Sequence, residues 1–170
     1  MNRRYTSGEY AEKCELLRKY FPNPALTTDV IVGFPGETEE EFKESYDFVD
    51  SIDFYETHIF KYSRRQGTKA AVMEGQLTEA VKSIRSEKMI ALHEIRAKEY
   101  ETSMIGKTLE LLLEEEVEIN GKTYFMAHSK EYVRAVIEKT KDHKVNDLVR
   151  AKAVDFADEH VLLAICEELY

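Results

Sequence analysis

The hydrophobic pattern of the chain changes near residue 104, and this change divides the 170 residues into two kinds of structure. Residues 1–103 alternate stretches of helical spacing with short β-branched runs, whereas residues 104–170 contain short apolar runs separated by turns. Alternation of helices and strands predicts parallel strands with helical crossovers, and several short strands predict a small barrel. We therefore expect two domains, an α/β domain over 1–103 and an all-β domain over 104–170.

Two capping boxes predict where helices begin in the first part. Thr6 with Glu9, and Thr38 with Glu41, have the spacing in which each side chain bonds the other residue's backbone N–H group. Behind Thr6, Cys14 lies on the apolar face of the first helix, where we expect a buried thiol. The first part of the chain therefore contains at least two helices with well-defined N-termini.

The run 26–32 predicts a buried strand and the run 55–62 predicts a second strand. Thr78 begins a long helix that reaches about residue 103. Ile84 and Ile95 share the helical spacing of that helix and are expected on its apolar face. Two parallel strands cannot form a complete sheet with both edges paired. The first part is therefore predicted to be part of a larger α/β unit, with a sheet edge through which copies can self-associate.

Five short apolar runs predict the strands of the second part. Asn120-Gly121 lies between two of them and is a strong signal for a two-residue hairpin turn. Five strands at regular spacing are typical of a small barrel of the oligonucleotide-binding type. The runs are 108–113, 124–127, 132–137, 148–153 and 161–165.

The charge of the chain is unevenly distributed. The whole sequence has 24 Lys and Arg against 33 Asp and Glu, a net charge of −9, which taken alone disfavours nucleic-acid binding. Residues 120–152, however, contain eight basic and four acidic residues, a net charge of +4 between two acidic segments. This segment is compatible either with a solvated surface of mixed charge or with contacts to phosphate groups.

The sequence contains no 18-residue apolar stretch and begins without the apolar core of a signal peptide, so we expect no membrane segment and a cytoplasmic location. Its two cysteines, Cys14 and Cys166, form neither a disulfide framework nor a metal-binding spacing. The five histidines also lack the spacing of metal ligands, and we predict no metal site in this chain.

A tight turn, Gly33-Phe34-Pro35-Gly36-Glu37-Thr38, connects the first predicted strand to the second capped helix. Ligands of parallel α/β folds bind beyond the carboxyl ends of the strands, where this turn lies. Its two glycines permit close approach of a ligand to the backbone, and its glutamates favour a hydroxyl-bearing or cationic ligand over a bare phosphate. A purely structural role for the turn remains an open alternative.

The segment from Val30 to Phe42 resembles the strand and turn of the radical S-adenosylmethionine methylthiotransferases, which add a methylthio group to tRNA adenosine or to a ribosomal protein. Three further segments resemble the same family in the same order: 1–6, 60–68 with its Tyr-Ser-x-Arg-x-Gly-Thr pattern, and Ile105-Gly106-Lys107 with Tyr132-Val133-Arg134. The last pair resembles the TRAM domain, a small RNA-binding barrel. The resemblance implies a partial TIM-type barrel followed by a TRAM or OB-like barrel.

The resemblance also implies roles for individual residues. The predicted residues around S-adenosylmethionine are Gly33, Phe34, Pro35, Gly36, Glu37 and Arg3. The predicted RNA-contacting residues are Arg64, Arg65, Lys122, Lys130, Tyr132, Arg134, Arg150 and Lys152. Lys130, Tyr132 and Arg134 alternate along the sequence, so we expect them on one face of a strand, as backbone contacts beside a stacking ring. The implied partner is a tRNA anticodon stem-loop.

Members of this family bind a catalytic [4Fe-4S] cluster through a Cys-x3-Cys-x2-Cys motif, which two distant cysteines cannot supply. The resemblance thus implies the C-terminal fragment of a methylthiotransferase, inactive alone, without catalytic residues, and completed by the missing N-terminal part of the same polypeptide. Arg3-Arg4-Tyr5-Thr6, with Gln66 in the basic loop, resembles the branch that acts on threonylcarbamoyladenosine. Two alternatives remain: an RNA-binding module without catalysis, and an α/β protein that binds a small ligand.

Overall fold

A computed structural model describes residues 4–166 of the chain. The chain divides into two compact units, Met1–Ala97 and Lys98–Tyr170, and each unit is described separately. Within the described residues, no helix combines the length and the apolar character that are needed to cross a membrane.

The first unit has the predicted alternation of helices and strands. Its elements are α1 (Ser7–Tyr20), β1 (Thr27–Val32), α2 (Glu39–Ile52), β2 (Glu56–Lys61), a short 3-10 helix (Lys69–Val72) and α3 (Glu79–Thr102), whose last turn belongs to the second unit. Strands β1 and β2 are parallel and in register from Thr27 opposite Glu56 to Val32 opposite Lys61. This parallel pair with crossover helices agrees with the α/β part of the prediction.

Both predicted capping boxes are present. Thr6 and Thr38 accept hydrogen bonds from the backbone N–H groups of Glu9 and Glu41, at 3.2 and 3.1 Å. The two glutamate carboxylates accept in return from the threonine N–H groups, at 2.7 and 2.8 Å. Each box satisfies N–H groups that a helix N-terminus otherwise leaves without partners, and therefore sets where α1 and α2 begin.

The core of the first unit lies between the helices and one face of the sheet. Cys14 is buried in this core, as predicted, together with Val32 and apolar residues of α2 and α3. The expectation that β1 is a buried strand is wrong for most of its length, because only Val32 is buried. The reason is that its described sheet has two strands, so one face and one edge of β1 lack the cover that a larger sheet provides.

The expected apolar face of α3 is also partly wrong. Ile84 and Ile95 are 54% and 55% exposed, whereas Met89 and Leu92 are buried. The buried face of α3 includes two basic residues, Lys82 and Arg85, which the spacing of the apolar residues did not indicate.

The second unit is a closed barrel of five strands in the order β3-β4-β5-β7-β6. The strands are β3 (Thr108–Ile119), β4 (Lys122–Ser129), β5 (Arg134–Glu138), β6 (Leu148–Asp158) and β7 (Val161–Cys166). All pairs are antiparallel except β5 with β7, which is parallel and closes the barrel. The predicted hairpin at Asn120-Gly121 is confirmed, with φ of 51° and 76° and with Ile119 opposite Lys122.

The barrel interior is filled by alternate residues of the strands. Leu111, Leu113, Ala127, Ala135 and Ala151 are completely buried. On β3 and β6 the neighbours of these residues face outward, whereas on β5 the neighbour Val136 is also completely buried. The small alanines leave room for Phe125 and for the leucines, as the interior of a five-stranded barrel requires. Strand β3 is longer than predicted, since it continues through the acidic run, whose glutamates are exposed on its outer side.

Candidate functional site

The turn after β1 is built around two glycines with positive φ, 74° at Gly33 and 85° at Gly36. The N–H group of Gly36 donates to the carbonyl of Gly75 at 2.9 Å, and the N–H group of Glu37 donates to that of Phe34 at 3.0 Å. These bonds attach the turn to the loop before α3 and hold it in a tight shape.

The two glycines are required for different reasons. A Cβ atom at Gly33 would lie 2.2 Å from Cγ of Lys82, so a side chain there would displace that lysine. A Cβ atom at Gly36 would meet no described atom within 4 Å, so the outer side of its backbone is open. Gly33 therefore permits close packing against α3, whereas Gly36 leaves backbone accessible to a ligand.

Glu37 and Arg85 connect the turn to α3. Oε2 of Glu37 accepts from the N–H group of Gly33 at 2.7 Å and from Nη1 of Arg85 at 2.5 Å. The same Nη1 donates to the carbonyl of Glu37 at 3.0 Å, and Nη2 pairs with the Glu39 carboxylate at 3.2 Å. Arg85 is only 4% exposed and its guanidinium lies 5.2 Å from the ring of Phe42. Sequence reasoning missed Arg85, since a single arginine in a long helix carries no distinguishing signal.

Lys82, one turn before Arg85 on α3, connects the helix to the end of β2. Its Nζ donates to the carbonyl of Tyr62 at 3.1 Å and to the carboxylate of Glu79 at 2.5 Å, and the hydrogen bond from Lys82 lowers the pKa of Glu79. The Tyr62 ring packs against Phe34 of the turn, with 5.3 Å between the ring centroids. The segments that follow β1 and β2 are therefore both hydrogen-bonded to side chains of the first half of α3.

A cavity of about 640 Å³ lies beside the turn. Four of the five predicted turn residues line this cavity: Phe34, Pro35, Gly36 and Glu37. The fifth, Gly33, is buried and is not among the lining residues. Further lining residues are aromatic or acidic, and no lysine or arginine of the described residues is among them. They include Tyr5, Tyr10, Phe48, Asp29, Glu41 and Glu44. Such a lining suits a ligand with a flat apolar part together with hydroxyl or cationic groups.

The predicted arginines of the first unit have different environments. Arg3 lies outside the described residues. Nε of Arg64 donates to the carbonyl of Ala71 at 2.6 Å, so this side chain stabilises the loop after β2. Arg65 is exposed, and its carbonyl accepts from the hydroxyl of Thr68, which caps the short 3-10 helix. Arg65 therefore presents its guanidinium to solvent on an ordered loop.

The expectation that Lys130, Tyr132 and Arg134 share one face of a strand is wrong. A tight turn separates β4 from β5, and Tyr132 lies in it with φ of 63° and 79% of its surface exposed. The hydroxyl of Ser129 accepts from the N–H groups of Glu131 and Val133, at 3.2 and 3.3 Å, and thereby stabilises this turn. All three predicted residues are nevertheless exposed, and they lie within five consecutive positions of the chain.

An outer strip crosses four strands of the barrel next to this turn. It consists of Leu148, Leu112, His128 and Arg134, each in register with the next on β6, β3, β4 and β5. The rings of His128 and Tyr132 are 6.2 Å apart, and Nδ1 of His128 contacts the Glu114 carboxylate at 2.8 Å. Aliphatic, aromatic and cationic groups thus share one exposed surface.

The other predicted basic residues do not join Lys130 at this turn. Lys122 is at the opposite end of β4, about 23 Å away along an extended strand. Arg150 and Lys152 are exposed on β6, in register with Glu110 and Thr108 of β3. The predicted basic residues of the second unit therefore lie in separate places on the barrel. Among the predicted residues, an aromatic ring lies beside cations only at the turn that contains Tyr132.

A buried glutamate that pairs with a histidine lies elsewhere in the second unit. Glu101 in the last turn of α3 is 2% exposed, and Nδ1 of His160 lies 3.0 and 2.9 Å from its two carboxylate oxygens. Burial raises the pKa of Glu101, and the charges of His160, Lys98 and Arg134 oppose this shift without cancelling it. His160 occupies a turn position with φ of 54°.

This shift predicts how Glu101→Gln changes the pH dependence of stability. A carboxyl whose pKa is raised by folding contributes stability below its unfolded pKa, and this contribution is lost as the pH rises through its folded pKa. Relative to the unchanged chain, Glu101→Gln should therefore gain stability as the pH rises above the ordinary pKa of a glutamate side chain. Urea unfolding of the barrel at several pH values measures the difference, with the exposed Glu118→Gln as control. A difference that is constant with pH contradicts the prediction.

Comparison with known proteins identifies relatives over most of the chain. The family description "Radical SAM superfamily" matches residues 1–49. A protein named threonylcarbamoyladenosine tRNA methylthiotransferase from Bacillus subtilis is 42% identical over 153 residues, which are 89% of this chain and 34% of the relative. Proteins named tRNA-2-methylthio-N(6)-dimethylallyladenosine synthase are 38% identical over 156 residues in Finegoldia magna and 43% over 114 in Caldicellulosiruptor saccharolyticus. They cover 92% and 67% of this chain.

These similarities confirm the resemblance that the motifs predicted. The chain spans about a third or less of the length of the curated relatives it matches, 34%, 33% and 24% of the three named above.

Proposed function

We propose that this chain, a segment related to the radical S-adenosylmethionine tRNA methylthiotransferases, forms one wall of the cofactor site and an RNA-contacting domain of such an enzyme. The reaction is the addition of a methylthio group to a hypermodified adenosine next to the anticodon. The observation that carries this proposal is the similarity over 89% of the chain to a tRNA methylthiotransferase. The open backbone of Gly36 beside an acidic, aromatic cavity supports the assignment of the turn.

The lining of this cavity fits S-adenosylmethionine. The ligand combines a flat adenine, ribose hydroxyls and a cationic sulfonium, which match the rings and carboxylates of the cavity and the open space beside Gly36. Phe34, Pro35 and Gly36 would contact it through their backbone and through the Phe34 ring, and Gly33 would support the turn from below. When bound, the cofactor supplies radical chemistry that side chains do not provide.

The described residues do not fit a [4Fe-4S] cluster. Between residues 4 and 166, no group of three His, Cys, Asp or Glu side chains is arranged to hold a metal ion. The two cysteines of the sequence are buried or half-buried, and burial raises the pKa of both thiols. Thiolate ligands for a cluster would therefore come from the rest of the longer protein, and we expect this chain alone to be inactive.

The barrel is proposed to contact tRNA through the turn at Tyr132. An exposed ring flanked by Lys130 and Arg134 can stack with an unpaired base while the cations meet the phosphates on either side. An anticodon stem-loop offers such unpaired bases. The TRAM-like assignment of residues 104–170 rests on the motif resemblance, and the closed five-stranded barrel is compatible with it. The similarity to a threonylcarbamoyladenosine enzyme supports that substrate branch.

The uncovered side of β1 is the proposed contact with the remainder of the longer polypeptide. Among the described residues, β1 pairs only with β2, so its other edge has no partner strand there. Asp29 and Ile31 alternate along β1 with the residues that face the helices, and their side chains therefore lie on the opposite face of the strand. An unpaired edge accepts a further strand, and the same edge would support self-association of the isolated chain. A cytoplasmic location remains a prediction.

A substitution at Gly36 tests the cofactor assignment. In a polypeptide that contains this chain within the complete enzyme, Gly36→Val should weaken S-adenosylmethionine binding about tenfold or more, because the side chain would project into the open space beside the backbone. Isothermal titration measures the affinity. Gly121→Val, also at a positive φ facing open space, is the matched control in the barrel hairpin. Equal cofactor affinity in the Gly36 variant and the unchanged protein would remove the turn from the site.

A further inference from the structure

The Glu37 carboxylate is engaged inside the turn rather than presented freely to the cavity. Its Oε2 accepts from the backbone of Gly33 at 2.7 Å and from Arg85 at 2.5 Å, and only 13% of the side chain is exposed. Because Arg85 compensates the negative charge, Glu37 is poorly suited to bind a cationic ligand directly.

Arg85 contacts the turn at more than one point. It reaches the Glu37 carbonyl at 3.0 Å as well as the Glu37 carboxylate, and it also pairs with Glu39 in the first turn of α2 at 3.2 Å. A planar guanidinium holds such a set of acceptors in fixed directions, which the single point charge of a lysine does not. Arg85 is thus bonded both to the turn and to the helix that follows it.

The hydrogen bonding of the buried Arg85 side chain is incomplete. Within the described part of the chain, its Nε atom is buried and has no hydrogen-bond partner. A buried donor without a partner is unfavourable, because it has lost its hydrogen bond to water. The contacts with Glu37, Glu39 and the Phe42 ring must outweigh this cost, so the turn and α2 determine where the guanidinium lies.

We propose that Arg85 is the positioning residue of the cofactor turn, and that it holds Glu37 inside the turn so that the ligand is recognised by the backbone of residues 34–36. Glu37 then acts through the backbone it binds and not as a direct ligand. This inference rests on the proposed function, because it concerns the turn that is assigned to the cofactor.

Amide hydrogen exchange of the 170-residue chain tests the positioning role without any cofactor. Arg85→Met should raise the exchange rate of the Gly33 N–H group about tenfold or more, because the acceptor of that group is no longer held. Arg85→Lys should restore protection only in part, since it retains the charge but not the directed donors. Arg96→Met on the same helix removes a comparable ion pair with Asp50 and should leave the Gly33 rate unchanged.

An unchanged Gly33 rate in Arg85→Met would overturn the inference, and so would an equal rise in Arg96→Met. If Arg85→Met does not fold, Glu37→Gln decides the question, because it keeps an acceptor for Gly33 but removes the charge. A several-fold rise in the Gly33 rate of Glu37→Gln supports the ion pair as the holding interaction, and an unchanged rate rejects it.

Cofactor binding by the complete enzyme provides the second readout. Glu37→Gln should retain S-adenosylmethionine affinity to within about threefold, since the ligand contacts the backbone, whereas Arg85→Met should lose about tenfold. A loss in Glu37→Gln as large as in Gly36→Val would instead identify Glu37 as a direct ligand and overturn the inference. Failure of Gly36→Val to affect binding would reject the cofactor assignment, while the exchange result on the turn would still stand.

Discussion

Replacing Gly33 with alanine should destabilise the first unit by about 2 to 4 kcal/mol. Two costs combine at this position. An alanine with φ of 74° is strained by about 1 to 2 kcal/mol, and its Cβ atom would lie 2.2 Å from Cγ of Lys82. Because that atom is near the lysine backbone, relief of the clash moves the side chain and disturbs its bond to the Tyr62 carbonyl. Urea unfolding followed by a probe in the first unit measures the loss.

Gly36→Ala is the control that separates backbone strain from packing. Its φ of 85° imposes a similar strain, but no described atom lies within 4 Å of the added Cβ. We expect a loss of about 1 to 2 kcal/mol from strain alone. Equal destabilisation by the two substitutions would show that the contact with Lys82 does not contribute, contrary to the packing described for Gly33.

Replacing Lys130 and Arg134 together with alanine should weaken binding of an anticodon stem-loop about tenfold at low salt and reduce its salt dependence. Each phosphate contact to single-stranded nucleic acid contributes about 0.7 to the slope of log K against log salt, so the loss of two contacts should lower the slope by about 1.4. Both side chains are exposed beside the ring of Tyr132. Fluorescence anisotropy with a labelled stem-loop between about 50 and 300 mM salt measures both quantities.

Two further variants separate stacking from charge. Tyr132→Ala should cost about 1 to 3 kcal/mol of binding free energy without changing the salt slope, since a stacked base carries no counterion, and Tyr132→Phe should retain binding. Lys13→Ala with Lys19→Ala makes the same charge change in the first unit and should leave the slope unchanged. A slope that falls equally in both double variants would indicate a nonspecific effect of net charge and contradict a contact at this turn.

Local patterns were sufficient to predict the elements of this protein. Capping boxes at Thr6 and Thr38, the hairpin signal at Asn120-Gly121 and the change of pattern near residue 104 depend on residues close together in the sequence. The structure confirms the helix starts and the hairpin because these features are stabilised by bonds between neighbouring residues. The family resemblance, which also depends on short motifs, was confirmed by relatives 38 to 43% identical to the chain.

The turn at Tyr132 shows where alternation along the sequence misleads. Period-two spacing predicted a strand through Lys130 and Arg134, but the Ser129 hydroxyl bonds two backbone N–H groups and ends β4 before them. The three side chains remain exposed together, although they do so around a turn. A side chain that competes for backbone hydrogen bonds can interrupt a strand whose pattern is otherwise unbroken.

Spacing and turn chemistry along the chain were enough to identify the helices, the strands and the turn between β1 and α2. The partners of that turn required the folded chain, because Arg85 is 48 residues from Glu37 and Lys82 is 20 from Tyr62. Period 3.6 predicted apolar residues on the buried face of α3, whereas the fold buries Lys82 and Arg85 there. Carbonyls and carboxylates of the turn and the neighbouring loops accept hydrogen bonds from these two cations. Burial of a cation depends on acceptors brought together in space, and for this reason no local pattern revealed it.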